Sequence, residues 1–79
     1  MKRETAIKVL AEVQAYVGDA SKATGPMLMD HNHEELSPGS WSICFEGGGP
    51  ENWAYNFRSQ VPGVWTEPIM GCILAVYDD

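Results

Sequence analysis

The chain is poor in basic residues, poor in cysteine and without a long apolar run, and each shortage narrows what it can be. Five Lys and Arg stand against eleven Asp and Glu in 79 residues, a net charge of −6. Lys2, Arg3, Lys8 and Lys22 fall in the first 22 residues; beyond them Arg58 alone faces eight acids. Such a surface repels phosphate backbones, so direct nucleic-acid binding is not expected. No apolar stretch nears the ~20 residues that span a bilayer. The start Met-Lys-Arg-Glu-Thr is basic, but Lys8, Glu12 and Gln14 interrupt what would have to be a signal core. The expectation is an intracellular, cytoplasmic protein with no membrane association.

Two cysteines are too few for the disulfide scaffold of a small secreted domain. Cys44 and Cys72 read as reduced packing residues; the alternative is one disulfide between neighbouring strands. Neither has a base or a histidine beside it in sequence, so nothing marks a reactive thiolate. Repeats, linkers and low-complexity segments are absent, which makes residues 1–79 a single small domain. At 44% hydrophobic and 20% charged residues the composition is that of a globular chain. A chain this short buries only roughly 60% of its unfolded surface, so its core is small.

What is present is mostly periodicity. Ala6, Val9, Leu10, Val13, Val17 and Ala20 recur at spacings of three and four, with Ile7 and Tyr16 widening the stripe. That is an amphipathic helix from residue 3 to about 17. Gly18 ends it, or the helix passes Gly18 and stops before Gly25-Pro26. Trp41, Ile43 and Phe45 alternate with Ser42, Cys44 and Glu46, and Trp53, Tyr55 and Phe57 alternate with Ala54, Asn56 and Arg58. Period two is the signature of a half-buried strand. With Gly47-Gly48-Gly49-Pro50 as a turn, these two segments predict strands at about 40–46 and 52–58, paired at the centre of an antiparallel sheet. Pro50-Glu51-Asn52-Trp53 also resembles a helix start, so a short helix at 50–60 is the alternative. Met27-Leu28-Met29 is a weaker strand. Val64 to Glu67 and residues 71–77 form a last pair, its hairpin made irregular, or its first strand placed at an edge, by Pro68. The fold class is α+β: one N-terminal amphipathic helix packed on one face of a four- to five-stranded antiparallel sheet.

One helix cannot cover Trp41, Trp53, Trp65, Tyr55, Phe57 and Tyr77 together. Aromatic side chains left on the uncovered side predict a partner or a self-associating surface. The rival expectation is that loop 30–40 closes that side.

No constellation predicts catalysis. Glu46, Glu51 and Glu67 are candidates for an acid–base pair, but nothing sets their separation and few bases are present to stabilise an anion. Gly47 to Gly49 lacks the Lys, Ser or Thr of a phosphate loop and is flanked by Glu46 and Glu51. His31 and His33 point the same way in an extended segment and can chelate a transition metal, with Asp30 or Glu35 completing the set; no third ligand stands at a diagnostic spacing. Trp53, Tyr55, Trp65 and Met70 could line a small-molecule pocket, which in so small a chain would form between subunits. No cofactor is implied. The functional expectation is a small acidic, non-enzymatic binding protein that inhibits or antagonises a basic partner, itself a nucleic-acid-handling protein or a toxin. The contact residues expected are Glu46, Glu51, Trp53, Tyr55, Trp65 and Glu67, aromatics for affinity and carboxylates for steering. The alternatives are a homodimer that sequesters a small molecule or a metal, and acidity that serves solubility alone.

Overall fold

In the computed structural model, residues 2–18, 26–30, 41–46 and 50–78 are described. Helix α1 runs Arg3–Val17 and helix α2 Trp53–Asn56; strands are β1 Met27–Asp30, β2 Trp41–Cys44, β3 Val64–Met70 and β4 Ile73–Asp78. The four strands form one antiparallel sheet in the order β1-β2-β4-β3. The architecture is therefore α+β, with an N-terminal helix and a four-stranded sheet.

Helix α1 forms where the spacing places it. Ala6, Val9, Val13 and Val17 are buried at intervals of three and four, and Leu10 packs partly buried beside them. Ile7 and Tyr16, expected to widen the stripe, are exposed instead. Tyr16 nevertheless packs edge-on against the buried Phe57 ring, centroids 5.7 Å apart. The helix ends at Gly18, with φ 70° and ψ −163°, a backbone conformation open essentially to glycine alone. The Gly18 N–H still donates to the Gln14 carbonyl.

The pairing of 40–46 with 52–58 is not formed. Strand β2 pairs with β1 and β4, and Trp53–Asn56 is one turn of helix. A strand would put Trp53, Tyr55 and Phe57 on one face. In the helical turn Trp53 and Phe57, four apart, share the buried side and Tyr55 turns to water. The Trp53 indole N–H donates to the Phe45 carbonyl at 3.1 Å in the interior, and the Ala54 N–H donates to the Gly71 carbonyl. These two bonds anchor α2 to the end of the sheet. Asn52 precedes the turn in the left-handed region, φ 57°. Its side-chain amide lies so near Gly71 that any Cβ there would meet it. A helix in this region is thus the reading that holds, shorter than 50–60.

The last hairpin forms as expected and extends to Met70. Its register shifts between Pro68 and Met70, and β3 is an edge strand. Buried Trp41, Ile43, Phe45, Trp53, Phe57, Leu74 and Val76 belong to one hydrophobic cluster with the α1 stripe. Glu12 of α1 ties down the segment after α2: its carboxylate accepts the Ser59 hydroxyl at 2.6 Å and the Gln60 N–H at 2.7 Å.

Candidate functional site: the open face of the sheet

Register assigns each paired strand residue to one of two faces; Ile69, at the register shift of β3, has no partner in it. Leu28, Ile43, Leu74 and Pro68 form one cross-strand row, and Trp41, Val76 and Thr66 the next. These point toward the hydrophobic cluster, and Ile43, Leu74 and Val76 are fully buried. The intervening residues face the other way. There the rows are Met27, Cys44, Ile73 and Met70, then Met29, Ser42, Ala75 and Glu67, then Tyr77 and Trp65.

Among the described residues this second face is apolar and largely uncovered; residues 31–40, the loop expected as its alternative cover, lie outside the described residues. Trp65 is 62% exposed, Met27 60% and Met70 54%, with Met29 and Ile69 exposed beside them. Ser42 and Ala75, on the two central strands, are buried within this face. Glu67 is the one charged side chain in these rows. At the end of β2 the Glu46 carboxylate accepts a hydrogen bond from the Cys72 thiol at 3.7 Å. Burial raises the Cys44 thiol above its ordinary value, and the neighbouring Cys72 and Glu46 push it further the same way. Both cysteines are free thiols.

The predicted contact residues divide. Trp65 and Glu67 lie on the open face, and Glu46 lies exposed at its end. Glu51 and Tyr55 are exposed on the α2 segment, whose buried side joins the core. Trp53, at 1% exposure and with its indole N–H bonded inside, is a core residue and not a surface anchor. His31 and His33 lie outside the described residues. Among the described residues no three of His, Cys, Asp and Glu come together as a metal set, and no helix is long and apolar enough to cross a membrane.

Sequence reasoning missed Met27, Met29 and Ile69 as surface residues. Met27-Leu28-Met29 reads as continuously apolar, so its parity was invisible without the register against β2. The alternation of Trp65 with Glu67 was the available signal in β3, and the register shift after Pro68 breaks it before Met70. The arrangement is suited to contact: thioethers adapt to irregular surfaces, and an exposed indole supplies a large rigid area. The chain matches no protein-family model, no curated protein and no solved structure.

Proposed function

We propose that this chain is a small acidic, non-enzymatic binding protein that acts in the cytoplasm as an inhibitor-like module on a basic protein, with the open sheet face as its contact surface. In this reading α1 packs on the opposite face and holds the sheet rigid, so that one side is free to dock. The observation that carries it is the exposure of Met27, Met29, Trp65 and Met70 on one face, with Ile69 exposed at the register shift beside Met70. Contiguous apolar area of this kind on a small domain favours association. The charge selects the partner: residues 23–79 carry one base against eight acids, which steers cationic surfaces and repels nucleic acid. Trp65 is the anchor, and Glu67 and Glu46 orient the approach.

The test uses the chain as bait in lysate of its own host, beside Trp65→Ala and Glu67→Lys. The expected result is a retained protein of basic isoelectric point. Its binding should weaken as salt rises and fall at least about tenfold with Trp65→Ala, the loss expected of an anchor side chain. Retention that neither substitution changes, or a retained protein that is acidic, overturns the proposal. Native mass spectrometry of the purified chain tests the rival: a dimer dissociated by Trp65→Ala would assign the face to a second copy.

A further inference from the structure

The two outer edges of the sheet differ in what they offer another chain, and hydrogen-bond parity shows how. The Phe45 N–H donates to the Cys72 carbonyl at 2.9 Å, so odd-numbered residues of β2 bond β4 and even-numbered ones bond β1. Opposite them, Met27 and Met29 turn their backbone groups to β2, while Leu28 and Asp30 turn theirs outward. The same count along β4 and β3 sends the backbone groups of Val64, Thr66 and Pro68 outward at the far edge. Two observations agree with this count. The outward Val64 N–H is taken by the Val61 carbonyl at 3.3 Å, and the one proline of β3 sits where an N–H would have faced away from the sheet.

The β3 edge is therefore blunted. Val64 is occupied, Pro68 has no donor, and the register shifts directly after it. The β1 edge has none of these devices. It contains no proline and no basic residue, its register is regular, and among the described residues nothing pairs with its outer side. Met27 and Met29 stand exposed along it on the open face, so a strand added at β1 would continue that face and cover their thioethers.

We infer that the partner docks by strand addition along β1, through an extended segment that alternates apolar and basic side chains. This deepens the binding reading given above and rests on it. Backbone bonds to Leu28 and Asp30 would fix the register, and apolar side chains would pack on Met27 and Met29. A second copy suits the edge less well, because each copy carries −6 and the pairing would bring two such charges together.

The test is amide hydrogen exchange of the full chain with a short capped peptide that alternates lysine and valine. The expected result is exchange slowed by about tenfold or more at Leu28 and Asp30. That protection should vanish with the same peptide N-methylated at alternate residues, and in Asp30→Pro, which removes one outward donor and no bond to β2. Circular dichroism and a melting curve show whether Asp30→Pro folds; the N-methylated peptide carries the test if it does not. Peptide-induced changes at Trp65 and Met70 without protection at Leu28 and Asp30 overturn strand addition and leave docking on the open face standing. Equal protection by a glutamate–valine peptide overturns the basic partner. Protection that grows with protein concentration and needs no peptide assigns the edge to a second copy and overturns the inference.

Discussion

Both faces of the sheet are made by the same strands, through the same alternation and largely from apolar side chains. Yet Ile43, Leu74 and Val76 on one face are fully buried, while Met27, Met70 and Trp65 on the other stand more than half exposed. Hydrophobicity of the residues does not separate the two faces. What separates them is company: the α1 stripe and the α2 residues Trp53 and Ala54 share a cluster with the first face. A pleated strand presents side chains to both sides whatever lies there. Cover must come from other elements, and the buried residues of α1 and α2 share their cluster with the first face. The residue types fit the split, with branched aliphatics prominent on the covered face and flexible methionines on the open one.

The sharpest way to break this comparison is to remove matched apolar groups from the two faces. Ile43→Ala or Leu74→Ala should cost about 2–5 kcal/mol in urea unfolding, through lost transfer energy and a residual cavity. Met70→Ala should stay within about 0.5 kcal/mol, as exposed substitutions do. If Met70→Ala costs as much as Leu74→Ala, the second face is covered in solution and the docking proposal falls with it.

Next in size is Trp53→Phe. It keeps an aromatic ring in the core but deletes the donor that satisfies the buried Phe45 carbonyl. An expected loss of about 1–3 kcal/mol in the same assay reflects that orphaned acceptor. A neutral result would mean that water or another donor replaces the indole.

Smaller still is Glu12→Ala, which frees the Ser59 hydroxyl and the Gln60 N–H from α1. Roughly 1 kcal/mol of destabilisation is expected, because both groups are near enough to solvent to find water. Amide exchange of Gln60 should accelerate in this variant; unchanged exchange would show that the segment is held by Phe57 and the core instead.

The smallest effect belongs to the thiol at the margin of the open face. Cys44 titrates above the ordinary thiol value of 9.0, first because it is partly buried and then because Cys72 and Glu46 add negative charge nearby. The folded state therefore holds this proton to higher pH than the unfolded state does. Its contribution to stability is complete below pH 9.0 and is lost as pH rises through the folded value. Alkylation of Cys44 by iodoacetamide at mildly alkaline pH should be slower in the folded chain than in urea. Equal rates would show that the thiol is not perturbed.

Much of the fold was legible because periodicity survives in any context. The spacing of Ala6, Val9, Val13 and Val17 admits one buried arc, and Gly18 marks its end. Trp41 to Cys44 alternates as a strand must, and the Pro68 hairpin lies where an edge tolerates it. The segment Trp53 to Phe57 was ambiguous for a physical reason. Residues four apart fall on one side of both a helical turn and a strand, so buried Trp53 and Phe57 satisfy either pattern. Tyr55, exposed, and Ala54, buried beside Trp53, separate the two, and their environments are not written in the sequence. The candidate site was half legible: Trp65 and Glu67 stand on it, while Trp53, chosen by the same aromatic criterion, is its opposite.

By itself the sequence determined the class of the molecule: a small acidic α+β chain, an N-terminal amphipathic helix, and more large apolar side chains than one helix can cover. Charge and periodicity are local sums, and they need no knowledge of the fold. The tertiary structure alone decided which of those side chains stay exposed, because facing is set by cross-strand register, and a one-residue slip reverses every side chain in a strand. It also decided that β1 and β3 are the outer strands and which backbone groups point away from the sheet. That is a property of strand order, and no segment of the chain carries it alone.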